Sequence, residues 1–270
     1  MNVRPDVEDV PDAFREGQPL AWAFHRNTSR WLHNVFEPDN IAHSPAPPME
    51  HPDAPFVPLV EPEPVPLFDM LAKRRSCRNY GGENVSLRDL ATVLAAAYGV
   101  TGLSTLGPLE FVERSVPSGG GLYPLELYVI VRAVDGLNPG VYHYVPLQHG
   151  LELLRDHKVP DRLVTYLFMG QSYASEAACT IVIGAVTERS LKKYGDRGYR
   201  YILFEAGHVA QNINLAGAGI GLGTCNFGGF FDDELAALLG MQHGNEIPLY
   251  GIAIGTPASD DPVTQRAFER

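Results

Sequence analysis

Leu127-Tyr-Val-Ile-Val-Arg-Ala-Val-Asp-Gly-Leu-Asn-Pro-Gly-Val-Tyr-His-Tyr-Val145 decides the fold. Leu127 to Ala133 and Val141 to Val145 are β-branched or aromatic runs, and Asp135 to Gly140 between them is a turn sequence short enough for an antiparallel pair. Immediately upstream, Pro117-Ser-Gly-Gly-Gly-Leu-Tyr-Pro124 places its glycines before a strand, whereas a dinucleotide-binding turn follows one. It also lacks the G-x-x-x-x-G-K-[ST] pattern, which argues against a nucleotide P-loop. Downstream, Thr180 to Val186 and Leu249 to Ile254 read as further strands. Helical spacing appears at Leu67, Met70 and Leu71, and again from Ser86 through Leu87, Leu90, Val93, Leu94 and Ala97 to a stop at Gly99. Ser86 with Asp89 three residues on resembles a capping box. Helices are also expected over Asp161 to Met169, Arg200 to Ala216 and Asp232 to Leu239. Helices set between antiparallel strands give an α+β class: a mainly antiparallel sheet flanked by helices.

The 270 residues are 45% hydrophobic and 20% charged, the composition of a folded chain. A net charge of −11 argues against nucleic-acid backbones and anionic lipid surfaces as partners. Cys77, Cys179 and Cys225 are far apart with no C-x-x-C pair, so neither a disulfide framework nor a cysteine zinc site is expected. A reducing cytoplasm fits, and the opening residues contain no apolar signal-like run. Ala206 to Phe231 has no formal charge but carries seven glycines and five polar residues, and is expected to be buried in protein rather than lipid.

Ten of the 22 prolines lie between Pro38 and Pro66, where fixed φ and missing N–H exclude helix interiors and central strands. Charge divides at the same place, with 11 acidic and 4 basic side chains in residues 1–66. The chain thus divides into an acidic, Pro-rich N-terminal arm, 1–66, and a domain, 67–270. Two readings of the arm stay open. It is either a tail or an element that wraps a partner subunit through Trp22, Phe24, Trp31, Leu32 and Phe36.

Four segments could carry chemistry. Lys73-Arg-Arg-Ser-Cys-Arg78 concentrates four cations in an acidic protein, which suits phosphate oxygens or, alternatively, a solvated helix end. The three glycines after Ser118 let backbone approach a ligand closely, or simply make a tight turn. Gly219 to Gly223 and Gly228-Gly-Phe-Phe-Asp-Asp233 add a second glycine-dense stretch. Lys192-Lys-Tyr-Gly-Asp-Arg-Gly-Tyr-Arg-Tyr201 mixes cations and phenols that can trade protons. His208 is expected to be a core histidine, because no ligand partner sits at i+4. No metal site and no G-x-S-x-G elbow is present in the sequence.

In combination these segments resemble the nitroreductase-like flavoproteins, and within them the SagB-type dehydrogenases that oxidise azolines in thiazole and oxazole peptide biosynthesis. The resemblance rests on Arg74-Arg-Ser-Cys-Arg-Asn-Tyr80, Pro117 to Glu126, Gly140-Val-Tyr-His-Tyr144, and Lys193 to Tyr201 running into Glu205-Ala-Gly-His-Val-Ala-Gln-Asn212, and continues through Gly228-Gly-Phe230. Phe24-His-Arg-Asn-Thr28 also resembles a short His-containing segment that often precedes such domains. It implies a nitroreductase-like fold with FMN at a homodimer interface. Arg74, Arg75, Ser76 and Arg78 are then expected near the phosphate, ribityl chain and pyrimidine edge. Ser118, Gly119, Gly120 and Gly121 would border the flavin, and Gly228 and Gly229 would offer backbone groups near N5 and O4. Lys193 and Tyr194 match the pair to which the azoline oxidases' proton chemistry is attributed. Two departures stand out: Gly255 to Asp261 supplies no basic residue for the phosphate, and Gly228 replaces a carboxylate frequent in simple nitroreductases. The implied activity is FMN-dependent oxidation of thiazoline or oxazoline rings to aromatic azoles, on a peptide or carrier-bound substrate. The alternative is an NAD(P)H-dependent FMN reductase of nitro, quinone or dehydroamino-acid groups. Residues 1–66 do not resemble a leader-binding domain, so a synthetase or cyclodehydratase partner is expected to supply leader recognition.

Overall fold

The computed structural model describes residues 19–30, 65–106, 109–241 and 246–260. Its centre is a six-stranded, wholly antiparallel sheet in the order β7-β6-β4-β8-β10-β9. These are β4 (Leu125–Val131), β6 (Gly140–Val145), β7 (Gly150–Arg155), β8 (Cys179–Val186), β9 (Gly223–Phe227) and β10 (Glu246–Gly255). The pair read from the opening sequence is present, with Tyr128 opposite His143 and Val131 opposite Gly140. Between them β5 (Val134–Asp135) pairs in parallel with β1 (Val85–Ser86), and β2 (Val100–Leu106) and β3 (Leu109–Arg114) make a separate hairpin.

Strand alternation sends Leu125, Leu127, Val129 and Val131 of β4 to one face, and Tyr128 and Ile130 to the other. On the first face lie α3 (Leu87–Tyr98) and α7 (Asp196–Gly219), contributing Leu90, Leu94, Tyr98, Ile202, Val209 and Ile213. The second face is covered by α4 (Asp161–Leu167), α5 (Tyr173–Glu176) and α8 (Asp232–Leu239) through Val164, Leu167, Phe168 and Leu235. Because both faces are covered, β8 is a continuous apolar run, and each fully buried Ile or Leu there contributes about 1.5–3 kcal/mol. Ser86 caps α3 as the sequence predicts: its hydroxyl accepts from the Asp89 N–H at 3.0 Å and donates to the Asp89 carboxylate at 2.7 Å. The helix stops at Gly99.

Two further helices follow the pattern less directly. α2 (Pro66–Lys73) has no buried residue, and Leu67, Phe68 and Leu71 face outward. Within the arm, α1 (Pro19–Thr28) docks on the start of α7, where Asp196 accepts from the Ala21 N–H at 2.7 Å and His25 meets the Tyr199 hydroxyl at 3.0 Å. At its far end the Asp232 carboxylate accepts from the Arg30 N–H at 2.8 Å. The proline-dense stretch up to Pro64 lies outside the described residues.

Burial lowers the His25 pKa to about 4, and burial raises that of Asp232 to about 6. The signs oppose. For His25 the unfolded state binds more protons between about pH 4 and 6.5, so its contribution is lost on acidification; for Asp232 the native state binds more, so its contribution is lost as pH rises through 6. Each shift corresponds to roughly 3 kcal/mol over the window. Urea denaturation at stepped pH is expected to give His25→Gln a stability that rises on acidification from pH 6.5 to 4 relative to wild type. Asp232→Asn should show the reverse, and identical pH slopes in all three proteins would contradict this assignment.

Candidate active site

The glycine loop is a strained turn pinned from beneath. Gly119–Gly121 makes one 3₁₀ turn with φ of 68° at Gly120 and 67° at Gly121, and Tyr123 follows at φ 44°, a left-handed value that β-carbon sterics disfavour. Ser118 donates to the Glu205 carboxylate at 2.5 Å and accepts from the Tyr123 N–H at 2.9 Å. Tyr98 donates to the other Glu205 oxygen at 2.6 Å, and its own oxygen accepts from the Leu125 N–H. Arg114 stacks on the rings of Tyr98 and Tyr123, at 4.2 and 4.9 Å from their centroids. From α6 (Glu188–Tyr194), Arg189 donates to the Tyr123 carbonyl at 3.0 Å and pairs with Glu126 at 2.6 Å.

Glu205 is 2% exposed. Burial pushes its carboxyl above the usual range, opposed by the Ser118 and Tyr98 hydroxyls and by Arg114. Burial acts to raise Glu126 too, but hydrogen bonding with His143 and the charge of Arg189 outweigh it and hold that carboxyl low. His143 is raised in turn by its bond to Glu126.

Over this turn sit the two residues expected to move protons. A β-carbon at Gly120 would stand 2.7 Å from the Lys193 ammonium nitrogen and collide with the Tyr194 hydroxyl. Tyr194 stacks edge-on against Tyr201 with centroids 5.0 Å apart, and Tyr201 packs on Gly119. Ser118, Gly119, Gly120, Lys193 and Tyr194 are therefore one cluster, with Gly121 at its exposed edge.

The cationic motif lies elsewhere. Cys77 N–H donates to the Thr224 carbonyl at 2.9 Å, fixing Arg74 to Tyr80 alongside β9, while Asn79 donates to Asp260 at 2.9 Å on the other side. Arg75 folds back on the carbonyls of Ala72 and Arg74, the helix-end role open to this motif. Arg74 and Arg78 have no acidic partner among the described residues, and Ser76 is exposed beside them. β9 ends at Phe227, Gly228 and Gly229 follow it, and no atom lies within 4 Å of where a Gly228 β-carbon would be. Gly119 contacts α7 at Tyr201, whereas Thr224 contacts it at Gly217, sixteen residues or about 24 Å further along the helix. The two clusters thus sit at opposite ends of α7.

Two expectations are corrected. His208 is exposed, not a core residue, because α7 touches the sheet on one side only. For the same reason the charge-free stretch from Ala206 is not wholly buried: Gly207, His208 and Gln211 continue an outward stripe begun by Leu203 and Phe204. Among the described residues no helix is long and apolar enough to cross a membrane, and no His, Cys, Asp and Glu group can hold a metal. The reading of the residues did not assign Glu205, Tyr98, Arg114 or Arg189. Glu205 had a signal, being the single formal charge between Arg200 and Asp232.

Comparison with known proteins bears on the family and the fold. MJ1384 of Methanocaldococcus jannaschii, named as a nitroreductase, is 40% identical over 73% of this chain and 94% of its own. The microcin B17-processing protein McbC of Escherichia coli is 32% identical over 51% of this chain and 52% of its own. Among solved structures, a chain of the E. coli microcin synthetase McbBCD complex superposes with a TM-score of 0.69 at 23% identity, covering 87% of this chain and 91% of that one. A Ralstonia eutropha structure named as a nitroreductase gives 0.60 at 28% identity, covering 74% and 89%. The family model for nitroreductases matches residues 71–256, and the chain belongs to the nitroreductase family.

Proposed function

We propose that the protein is an FMN-dependent dehydrogenase that oxidises thiazoline or oxazoline rings to aromatic azoles in natural-product biosynthesis, on a peptide or carrier-bound substrate. The observation that carries this reading is the apposition of Lys193 and Tyr194 to the bare backbone of Gly120. A ring laid on that backbone comes within reach of the Lys193 and Tyr194 side chains together, one of which, as the neutral amine or the phenolate, can take up a carbon-bound proton. The relationship to McbC, a microcin-processing protein, supports a peptide substrate. The McbBCD assembly supports delivery by a synthetase or cyclodehydratase partner.

The residues present fit FMN. Among the described residues Arg74 and Arg78 have no acidic partner, Ser76 is exposed beside them, and the open backbone at Gly228, followed by Gly229, comes directly after β9. Bound FMN supplies a two-electron acceptor for the hydride leaving the substrate ring. In this reading Arg74, Ser76 and Arg78 hold its polar end, while Arg75 holds the strap in shape. Ser118 to Gly121 border the ring system, and one of Lys193 and Tyr194 removes the acidic C–H beside the carbonyl. About 24 Å of α7 separates the two clusters, which exceeds the reach of one flavin ring system, so a second copy supplies the complementary cluster. The outward stripe of Leu203, Phe204 and Gly207, together with the uncovered Leu67, Phe68 and Leu71 of α2, supports such a homodimer.

A second reading is NAD(P)H-dependent reduction of nitro, quinone or dehydroamino-acid groups, favoured by the M. jannaschii relative. Electron flow separates the two. Under anaerobic conditions a thiazoline- or oxazoline-bearing peptide is expected to bleach the flavin fast and lose two hydrogens by mass, while NADPH bleaches it slowly. Fast bleaching by NADPH, reversal by a nitroarene and inertness to azolines would establish the reductase instead.

Lys193→Ala and Tyr194→Phe should each lose about 10²- to 10⁴-fold in kcat with FMN retained. Near-wild-type turnover in both would remove them from the chemistry. Gly120→Ala places a methyl against both groups at a left-handed φ, costing about 1–2 kcal/mol in stability. It should also cut kcat at least tenfold, measured alongside thermal melting; unchanged turnover would show that the close approach is incidental.

A further inference from the structure

Gly229 does not lie free at the end of β9. Its carbonyl accepts from the Gln171 side-chain amide at 3.0 Å, and the same amide nitrogen donates to the Phe168 carbonyl at 2.9 Å. Both Gln171 amide protons are thereby used, which fixes the other end of the side chain as the oxygen. That oxygen accepts from the Tyr173 hydroxyl. The Tyr173 hydroxyl is close enough to the Arg78 guanidinium and the Cys225 thiol to feel both electrostatically. Tyr173 also packs edge-on against Phe227, with centroids 5.7 Å apart, so its ring is held independently of its hydroxyl. Met169 and Gly170 enter this turn with φ of 54° and 81°, a strained approach that brings the Met169 sulfur within 3.6 Å of the Gly229 β-carbon position.

We propose that Gln171 and Tyr173 are positioning residues for the flavin cradle, a hydrogen-bonded pair that holds the Gly229 backbone and sets the Tyr173 hydroxyl beside Arg78. This rests on the FMN reading of Arg78, Gly228 and Gly229 given above. The pair sets polarity. With the Gly229 carbonyl turned inward to Gln171, the trans peptide turns the Phe230 N–H the opposite way. The backbone beside the open space at Gly228 then faces outward as a donor. N5 and O4 of an oxidised flavin are acceptors, so a donor edge suits them and a carbonyl edge would repel them. The Tyr173 hydroxyl, held by Gln171, is the polar group this pair offers to Arg78, so the cation and the Gly229 backbone share one support.

Gln171→Glu is the discriminating variant, since it keeps the side-chain volume but sets an oxygen against two carbonyls. Tyr173→Phe keeps the ring and removes the hydroxyl beside Arg78. In the full-length protein, titration of apo protein with FMN is expected to show a Kd raised at least tenfold by Gln171→Glu and three- to tenfold by Tyr173→Phe. Gln171→Glu should also displace the visible absorption bands of bound FMN. Because the two residues act as one pair, Gln171→Met combined with Tyr173→Phe should cost less than the product of the single effects. Far-UV circular dichroism and melting of the apo variants distinguish a lost cradle from a lost fold. Wild-type Kd and spectrum in both single variants, with FMN binding lost in Arg78→Ala, would overturn the proposal while leaving the cofactor reading in place. A wild-type protein that takes up no FMN would overturn both.

Discussion

A carboxylate buried beneath a glycine turn organises the active half of this molecule. Glu205 is 2% exposed, and its two oxygens are served by hydroxyls from separate parts of the chain, Ser118 in the loop and Tyr98 at the end of α3. A buried carboxylate is tolerated only when its lone pairs are satisfied, and leaving one unserved costs about 1–3 kcal/mol or more. That penalty acts as a positional constraint. Ser118 cannot leave without stranding Glu205, and Tyr98 cannot leave without stranding both Glu205 and the Leu125 N–H at the head of the central strand. Loop, helix and sheet are thus locked beneath the glycine turn.

The lock explains how an unfavourable turn persists. Left-handed φ at Tyr123 and at Gly120 and Gly121 is held by ties on every side of Tyr123: Ser118 on its N–H, Arg189 on its carbonyl, and the Arg114 N–H on its hydroxyl. Arg189 belongs to the helix that carries Lys193 and Tyr194, so the tie that fixes the exit of the turn also sets the height of those groups above it. The cluster behind Arg189 steadies it further, with Glu126 shared between its guanidinium and His143, and Glu152 on the far ring nitrogen.

Much of this was legible in the residues, and the failures have physical causes. Alternation and turn chemistry sufficed for β4 and β6, and β8 and β10 were found as apolar runs, because strands buried on both faces need no contact information to be recognised. β9 reads as turn because Gly223 begins it; it is a strand only because β10 supplies its partners. The hairpin of β2 and β3 had a signal in the Gly107-Pro108 dipeptide. The motifs do not carry the grouping of their residues, since Lys193 and Gly120 meet through tertiary packing that spacing does not encode. Arg75 looked equivalent to Arg74 and Arg78, and only the carbonyls at the end of α2 distinguish it.

Electrostatics links the two clusters to the composition. A chain with net charge −11 repels an anion at long range, so an anionic group is retained only where local cations are left uncommitted. Among the described residues Arg26 pairs with Asp233, Lys158 with Asp161, Arg189 with Glu126 and Lys192 with Glu188. Arg74 and Arg78 have no such acidic partner, and Asn79 rather than either of them takes the nearby Asp260. The C-terminal strand end, which supplies no base, is clipped to this strap at Tyr80 and Gly81, so the segment that lacks the charge instead holds the segment that has it. In the proposed FMN reading, an acidic surface around Arg74 and Arg78 favours an anion that can also stack and hydrogen-bond. Free phosphate feels only the small difference between local attraction and global repulsion.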